Sequence, residues 1–574
     1  MANIPSLNDV TEVESDWNPL FTRMDNDRKL YYLDKYVLTD MRGNKLDDVH
    51  STTLNLPKVY AERVISVLAE TPLRWVVFGS GLTDKQCSEI EAYYDNMMIA
   101  ANRLLELQGE PSIQVKIAEH LALRGRMGLR CLLRVDADRL KTDIRALDMR
   151  YCVYDYDERG LGWVAPRYTL RRAQLIGEYP EAEKFISNNK KFSVRDIWTR
   201  EGEFVYADDV KIYEGENPFD ECPFVIKVCH TGSFLDDDEA IEHLGESIYS
   251  SDRDLYPELN LLISVMQTHN KISLYPPQKA KLRRGRTLKG HGYKMGGVTT
   301  LQEGEDIDTL KGLDINNSVS MAHGLISRGV DQGSLPSVDY GNLSFTLSAV
   351  AIEKLSEPAK QVYIPRLKTM ASAYEQLAMM IKRQHLKGGF KAEIGEEGDE
   401  SEYDTSTIDK KFGIRADMHL KLPEEEMANY SMAAGAGNLI SEDTKRRDIL
   451  KLQNPAEEDD KIKSEQAEQL SPTLMIYRRA KSLIARFKKT GDKQLQLEAK
   501  ILLAEIGMSL KQAESGTGEP KPLQGKMPDT PQTPQPGAAL PALTNNKGGV
   551  APPGSRQSTA PGAESVKPAA PREE

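Results

Sequence analysis

Two short groups of carboxylates are the residues of this sequence whose types and spacing could support metal chemistry. Asp155, Asp157 and Glu158 occur together in Y-D-Y-D-E, and Asp252 and Asp254 occur in S-D-R-D. Clustered carboxylate oxygens can hold Mg²⁺ for nuclease chemistry, and carboxylates two residues apart share one face of a strand. A turn and a helix cap account for the same residues without a metal, and we prefer that interpretation. The alternative is a Mg²⁺-dependent DNA-processing enzyme that uses Asp155 and Asp157.

Other catalytic patterns are missing from the sequence. It contains no G-x-x-x-x-G-K-[ST] phosphate loop, no G-x-S-x-G elbow, no H-E-x-x-H and no Cys/His spacing suited to zinc. The five cysteines form no C-x-x-C pair, which predicts free, mostly buried thiols in a reducing cytoplasm. The sequence thus offers no recognisable nucleotide, hydrolase or zinc motif.

Length and hydropathy limit the class of protein. A chain of 574 residues is too long for one ordinary hydrophobic core, so several packed layers or domains are expected. No window approaches the roughly 18 apolar residues of a membrane helix, and the N-terminus has neither the basic nor the apolar part of a signal peptide. We expect a soluble, unexported protein with no membrane partner.

One segment contrasts with the acidic balance of the chain. The formal net charge is -12, yet residues 271–300 contain eight Lys or Arg and no Asp or Glu. A charge run is most often a solvated loop. A basic patch also attracts phosphate groups or an acidic protein surface without base-specific contacts, so the elements on either side of the segment decide between the two.

Helical patterns flank the basic segment. The first, 251–275, has Asp254 or a neighbour as its cap and Pro257 in its first turn, and it must end before Pro276-Pro277. The second spans about 314–330. Their apolar residues recur at helical spacing: Leu259, Leu262, Ile263 and Met266 in the first, and Ile315, Val319, Ala322 and Ile326 in the second. Glycines between them suggest short strands and turns.

The rest of the chain predicts an α+β body. Residues 1–55 are polar and look irregular, whereas helical periodicity appears over 54–68 and again over about 84–108. From 112 to 236, short apolar runs alternate with turn residues, which is typical of strands. A long periodic run over 344–386 contains Pro358 and Pro365, which predict kinks. Its apolar positions are Leu367, Met370, Tyr374, Leu377 and Ile381.

The C-terminal third looks less compact. Residues 391–405 hold seven acidic residues and suggest a solvated loop. Short helices are expected from 423 to about 510, with N-P-A-E at 454–457 as the clearest helix start. Residues 515–574 contain twelve prolines and no aromatic residue, so that tail should be disordered.

In their order along the chain, these features resemble a portal protein, the head-to-tail connector of a tailed double-stranded DNA bacteriophage. The resemblance covers about residues 30–470. Four stretches carry it: L-N-L-P-K-V-Y-A-E-R-V-I-S-V-L, N-P-F-D-E-C-P-F-V-I-K-V, G-E-S-I-Y-S-S-D-R-D-L-Y-P-E-L-N-L-L-I-S-V-M, and N-L-I-S-E-D-T-K-R-R-D-I-L with N-P-A-E-E-D-D-K-I-K-S-E.

The resemblance implies a portal-type α+β fold assembled as a ring, with an α/β wing, a two-helix stem, a small β-rich clip, a long kinked helix and a helical crown. The implied domains are the wing (1–250 and 343–422, the latter with the long helix), the stem (251–275 and 313–330), the clip (276–312), a tunnel loop (331–342), the crown (423–514) and the Pro-rich tail (515–574).

Two sets of site residues follow from the resemblance. The tunnel loop, expected to line the DNA channel, comprises Asp331, Gln332, Gly333, Ser334, Leu335, Pro336, Ser337, Val338, Asp339, Tyr340, Gly341 and Asn342. The clip residues expected to dock partner proteins are Lys279, Lys281, Arg283, Arg284, Arg286, Lys289 and Lys294.

The implied partners are those of a portal vertex. They are further copies of the chain in a ring of about 12 subunits, double-stranded DNA bound without sequence preference, the terminase large subunit, the major capsid and scaffolding proteins, and a tail adaptor. The implied location is the virion, after assembly in the bacterial host cytoplasm. Portal proteins are not enzymes, so the resemblance also implies no catalytic residue, no metal and no cofactor. The missing phosphate loop agrees with this, because in that family the terminase hydrolyses ATP.

Overall fold

The computed structural model divides into two units, Met1–Ile462 and Lys463–Glu574. The structure describes residues 5–47, 49–136, 139–235, 237, 240–274, 278–282, 284, 303–309, 317–335, 349–390, 393–396, 399–403, 405–419, 430, 432–450, 452, 458–459, 461–463, 466, 472–490 and 493–509.

Helices and strands alternate along the first unit, so the α+β expectation is confirmed. Its helices are α1 (Leu7–Asp16), α2 (Asn18–Tyr32), α3 (Leu56–Glu70), α4 (Asp84–Leu107), α5 (Ile113–Arg124), α6 (Arg172–Glu178), α7 (Ala240–His243), α8 (Leu255–Leu274), α9 (Asn317–Gly333), α10 (Ala349–Gly388), α11 (Thr405–Ile408) and α12 (Glu442–Thr444), followed by a π-helix over Lys445–Ile449. The second unit contributes α13 (Pro472–Thr490) and α14 (Lys493–Glu505).

The strands of the described residues pair antiparallel throughout. They are β1 (Leu73–Phe78), β2 (Arg126–Asp136), β3 (Arg139–Leu147), β4 (Cys152–Asp157), β5 (Gly160–Arg171), β6 (Lys191–Thr199), β7 (Gly202–Ala207), β8 (Val210–Glu216), β9 (Phe224–Val228), β10 (Gln278–Lys281), β11 (Asp306–Thr309), β12 (Glu393–Glu396), β13 (Asp399–Glu402) and β14 (Gly413–Met418). The sheets are β3-β2-β9, β4-β5-β6-β7-β8, and the pairs β1-β14, β10-β11 and β12-β13.

The main core of the first unit forms around α10. Its residues Leu367, Met370, Tyr374, Leu377 and Ile381 are all buried, as their spacing predicts. They share one hydrophobic cluster with α3, α4, α5 and the strands β1, β2, β3, β9 and β14. The helix is continuous through Pro358 and Pro365. A 40-residue helix therefore acts as the framework against which the body packs.

A second core lies between the N-terminal helices and the five-stranded sheet. Val10 of α1 and Leu20, Phe21 and Met24 of α2 are buried against residues of β4, β5, β6 and β7. The prediction that residues 1–55 are irregular is therefore wrong for this part of the chain. The sequence hides these helices because their apolar residues are few, and they are stabilised by a sheet that lies more than a hundred residues away in the chain.

Two other expectations need correction. Ile113–Arg124 is helix α5 and not a strand, because Ile113, Ile117 and Leu121 recur every four residues and all are buried. The acidic stretch 391–405 includes the hairpin β12-β13, which places Ile394 in the main core. The free thiols are confirmed: four cysteines are buried and Cys87 is half-buried.

Several predictions fall outside the described residues, namely the N-P-A-E helix start at 454–457 and the tail at 515–574. Within the described residues, no helix is both long and apolar enough to cross a membrane.

Candidate functional site

The carboxylates considered for magnesium have other partners. Both Asp157 oxygens accept hydrogen bonds from the Arg200 guanidinium at 2.6 Å, and Oδ1 also accepts the Arg159 amide at 2.7 Å. The hydrogen bonds from Arg200 lower the pKa of Asp157. Asp155 Oδ1 accepts the Tyr156 amide at 2.9 Å, next to a bulge that breaks the alternation of the strand. Asp157 ends β4 and Glu158 lies in the turn into β5, so the interpretation of this carboxylate group as part of a turn is confirmed.

Across the described part of the chain, no group of three His, Cys, Asp or Glu side chains could hold a metal ion. Asp252 is buried, and burial raises its pKa to about 6, whereas Asp254 is exposed. The Asp252 carbonyl accepts the amides of Leu255 and Tyr256 at the start of α8. The backbone of Asp252 therefore begins α8, and its carboxyl group packs against Gly333.

Two short antiparallel strands, β10 and β11, lie near the two ends of the predicted clip, and we call this pair the ladder. Lys279 and Lys281 lie on β10 and stand opposite Asp308 and Asp306 of β11. Opposite charges facing each other across an antiparallel pair stabilise it modestly, by about 0.2–1 kcal/mol each. Lys279, Lys281 and Arg284 are exposed. Of the other clip candidates, Arg283, Arg286, Lys289 and Lys294 lie outside the described residues.

The ladder joins two helices that pack against each other at their other ends. A Cβ atom on Gly333, the last residue of α9, would lie 1.8 Å from Asp252 Oδ1, just before α8. A Cβ on Gly329 would lie 3.0 Å from Leu255 Cδ1. These glycines let the end of α9 approach the start of α8, so the two helices form an antiparallel pair.

The predicted tunnel loop starts later than the sequence suggests. Asp331, Gln332 and Gly333 belong to α9, and the Ser334 amide still donates to Val330 O at 3.0 Å. Leu335 is buried in the main core. The prediction of a loop from residue 331 is therefore wrong for Asp331, Gln332 and Gly333, because α9 continues to Gly333, where its missing side chain allows close packing against Asp252. Pro336, Ser337, Val338, Asp339, Tyr340, Gly341 and Asn342 lie outside the described residues.

A buried group of charges holds the start of α8 to the N-terminal helix α2, and we call these four residues, Arg23, Asp27, Glu246 and Arg253, the joint. Arg253 Nε donates to Asp27 Oδ1 at 2.7 Å, and Arg253 Nη2 donates to Glu246 Oε2 at 2.7 Å. Arg23 lies 3.5 Å from Glu246 and donates to Gly245 O at 3.0 Å. Each buried charge in the joint thus faces an opposite charge.

The electrostatics of the joint show how closely its charges are matched. Burial opposes ionisation of Glu246, but Arg23 and Arg253 outweigh it and lower the pKa of this carboxyl. Burial dominates at Asp27, whose pKa is raised although Arg253 counteracts the effect. Burial of a charge is expensive unless it is paired. The joint therefore fixes the direction in which α8 leaves the body.

A strap formed by residues 49–54 supports the same helix along its length. The amides of His50, Thr52 and Leu54 donate to side chains of α8, at distances of 3.0, 2.9 and 2.9 Å. The acceptors are Thr268 Oγ1, Ser264 Oγ and Asn260 Oδ1. Two residues of extended chain and four residues of helix cover nearly the same length, roughly 6–7 Å, so the two spacings match.

Sequence reasoning missed both the joint and the strap. The joint links residues up to 226 positions apart, and a local sequence pattern cannot predict such pairs. A signal for the strap was present, because Asn260, Ser264 and Thr268 form a polar stripe at four-residue spacing along one face of α8. That stripe predicts a polar partner along one face of α8.

The chain matches no family model and no curated protein. Solved structures that it resembles include chains of gene transfer agent (GTA) particles. A chain of the neck of an empty GTA particle, computed with C6 symmetry, gives a TM-score of 0.40 at 11% identity, with 70% of this chain and 90% of that chain covered. A chain of the native GTA virion gives 0.39 at 10% identity over 69% and 89%. A chain of the native neck with C12 symmetry gives 0.38 at 10% identity over 68% and 88%.

Proposed function

We propose that this protein is a portal-type head-to-tail connector that forms a ring around a channel for double-stranded DNA. The observation that carries the proposal is the arrangement of α8 and α9. The joint and the strap hold the α8/α9 pair to the α+β body. The basic segment and the ladder lie at the opposite end of the pair. A rigid stem that presents a basic tip away from the body suits a subunit of a funnel-shaped ring.

Exposed apolar residues on the pair support assembly with further copies. Met321 and Leu325 on α9 are 70% and 60% exposed, and Val265, Ile272 and Leu274 on α8 are also exposed. Large exposed apolar groups that cluster on one element mark interaction surfaces. Contact between different faces of successive copies closes into a ring if the rotation allows it. We propose a ring of about 12 subunits, the number that the resemblance to portal proteins implies.

The parts of the ring follow from the resemblance, with one change. We assign residues 1–250 and 343–422 to the wing, the α8/α9 pair to the stem, 276–312 to the clip and 423–514 to the crown. The tunnel loop is now restricted to Pro336–Asn342, because α9 extends to Gly333 and Leu335 is buried. Contacts with the DNA backbone alone would allow passage of any sequence.

The basic residues of the clip are proposed to dock the terminase large subunit during packaging and the tail adaptor afterwards. Charge at a partner surface mainly controls encounter and specificity, whereas the helices on either side carry the fold. Lys279 and Lys281 already face carboxylates across the ladder, so Arg283, Arg284 and Arg286 are the stronger candidates. Capsid and scaffolding proteins would contact the ring at one vertex of the virion.

The first test is the mass of the purified chain under native conditions, with images of the particles. A ring of about 12 subunits is expected. The paired substitution Met321→Asp with Leu325→Asp should reduce the mass to that of small species while the circular dichroism stays helical. Met41→Asp is the matched control, because this methionine is fully exposed and lies outside the helices. A monomeric parent protein, or a double variant that still forms rings, contradicts the proposal.

A further inference from the structure

The second unit contains a helical hairpin, residues 472–505, with a small core of its own. Ala480, Leu483 and Ile484 of α13 are buried against α14. Ala499 and Leu503 of α14 are fully buried on the other side of the contact. The apolar face of α13 is therefore covered within the hairpin.

The opposite face of α13 carries charge of one sign. Pro472–Thr490 contains six Lys or Arg residues and no Asp or Glu. These residues are Arg478, Arg479, Lys481, Arg486, Lys488 and Lys489. With 3.6 residues per turn, their positions fall within roughly half of the helix circumference, centred opposite the buried positions. Arg478, Arg479 and Lys481 are exposed. We call these six positions the basic face.

A solvated helix does not need such a face. The chain is acidic overall, with a net charge of -12, so solubility does not call for a block of cations. The neighbouring helix α14 has the mixed pattern typical of solvated helices, with Lys493 and Lys500 balanced by Glu498 and Glu505. Like charges at helical spacing destabilise an isolated helix, and a polyanion would relieve that repulsion.

We propose that the basic face of α13 binds the phosphate backbone of double-stranded DNA without reading its sequence. From Arg478 to Lys489 the face extends about 17 Å, which is about half a turn of a DNA duplex. Between these residues the same half of the helix holds only Ser482 and Ala485, whose small side chains allow close approach. Protein interfaces are enriched in large apolar and aromatic residues at their centre. Between Arg478 and Lys489 the face has none, and the nearest one, the half-exposed Met475, lies one turn before Arg479 at the edge of the charged stretch.

This inference goes beyond the proposed ring, because a phosphate-binding face needs no particular number of subunits. Arginine and lysine both bind phosphate, arginine with two donors in a fixed geometry and lysine as a point charge. Arg479 and Lys481 make no ion pair among the described residues of the hairpin. Their charges are therefore not already committed within the part of the hairpin that the structure describes.

The test is the salt dependence of DNA binding by the full chain. The three clip arginines at 283, 284 and 286 are first replaced by Gln, so that binding at the clip does not conceal binding at the hairpin. The triple change Arg479→Gln, Lys481→Gln and Arg486→Gln is then added. Anisotropy of a labelled duplex of arbitrary sequence is measured between about 50 and 200 mM salt, where phosphate contacts give a linear dependence of log K on log salt.

The triple change should lower the slope of that plot by about 2 to 3 and weaken binding at least about tenfold at the lower salt concentration. The matched control replaces Lys35, Arg42 and Lys45 by Gln, which removes the same charge from exposed positions near the N-terminus. The control should change the slope by less than about 1. Equal effects of the two triples, or a parent chain that binds no DNA, overturn the proposal.

Native mass is recorded for every variant in the same series. A change in DNA binding with an unchanged mass concerns the hairpin alone, and a missing ring with intact DNA binding concerns the proposed connector alone. If the basic face serves an acidic protein instead, the triple and the control will bind DNA equally, which counts against the proposal.

Discussion

The joint and the basic face of α13 use the same cationic side chains in opposite surroundings. The side chains of Arg23 and Arg253 are 1% and 18% exposed and are held by carboxylates and carbonyl groups. Arg479 and Lys481 are exposed and make no ion pair within the described part of the hairpin. The difference shows that burial and partners decide what a cation does. The buried pair determines where a helix starts, and the exposed pair is available to a partner.

The clip segment contains exposed cations that face a carboxylate and an exposed cation that does not. Lys279 and Lys281 stand opposite Asp308 and Asp306, so part of their charge is balanced by the ladder. Arg284 is exposed and has no such register partner among the described strands. Counting cations in the sequence treats these residues as equal, whereas the strand register separates them.

Local signals explain which elements could be predicted from the sequence. The helices α3, α4, α8 and α10 have continuous apolar periodicity, and the strands β2, β4 and β9 are short apolar runs bounded by turn residues. Their patterns arise from neighbours in the sequence, so a single sequence suffices. The helices α1 and α2 have few apolar residues, and the sheet that covers them is distant in sequence, so a local pattern did not reveal them.

The candidate site could be predicted only in outline. The basic segment and its two flanking helices follow from composition and spacing, but the joint depends on contacts between distant residues. The loop was predicted to start too early, since α9 continues to Gly333, and this glycine both ends the helix and permits its close approach to Asp252. The basic face was missed although a count of cations over 478–489 would have found it.

The largest expected effect concerns the glycine beneath the joint. Gly125 ends α5 with φ +67°, and a Cβ there would lie 1.9 Å from Gly245 O, the carbonyl that Arg23 binds. The atoms that the Cβ would meet belong to the backbone of Gly245 and Glu246, so they cannot rotate away. We expect Gly125→Ala to cost more than about 4 kcal/mol of folding free energy, measured as loss of soluble protein and of the urea transition.

Gly109→Ala is the control for that substitution. Gly109 has a similar φ of +74° but no atom within 4 Å of the added Cβ. We expect a cost of about 1 kcal/mol from backbone strain alone. Equal costs for the two variants would show that the close approach beneath the joint is not real.

Breaking the joint by one side chain should have the next largest effect. Arg253→Met leaves Asp27 and Glu246 buried without their shared cation, and the expected loss is about 3–5 kcal/mol in urea unfolding. Adding Asp27→Asn should recover part of it. Lys58→Met is the control, because Lys58 and Glu62 form an exposed pair, for which less than about 0.5 kcal/mol is expected. A similar small loss for Arg253→Met contradicts a structural role of the joint.

A change in the core of the hairpin should be large but local. Leu503 is fully buried within the hairpin, so Leu503→Ala should cost about 2–5 kcal/mol there. Because the hairpin has its own core in the second unit, we expect faster hydrogen exchange in α13 and α14 and unchanged protection of α10. Leu497→Ala, which alters an exposed residue of the same helix, should change neither. Loss of protection in α10 would mean that the two units unfold together.

A smaller effect is expected for Glu91, a carboxyl whose pKa is raised by burial, whereas the pKa of Glu246 is lowered. Glu91 Oε1 accepts the Val77 amide at 2.9 Å, and burial raises the pKa of Glu91 to about 7. The folded state thus keeps a proton that the unfolded state releases, so this contribution to stability is lost as the pH rises from about 4.5 to 7. Glu91→Gln keeps the acceptor and should raise stability at pH 8 by about 1–2 kcal/mol relative to its effect at pH 5. A pH-independent difference between variant and parent would show that Glu91 is ionised throughout.

The smallest expected effect is on the stability of the hairpin when its exposed cations are removed. Arg479→Gln and Lys481→Gln change side chains that lie opposite the buried face, and glutamine favours helices nearly as well as lysine and arginine. Each should alter the urea midpoint of the hairpin by an amount equivalent to less than about 0.5 kcal/mol, and loss of like-charge repulsion makes a slight gain the expected sign. This is the reverse of Arg253→Met, although both changes remove one positive charge. If either hairpin substitution costs more than about 1.5 kcal/mol, the side chain has a structural partner, and the contrast between the joint and the basic face fails.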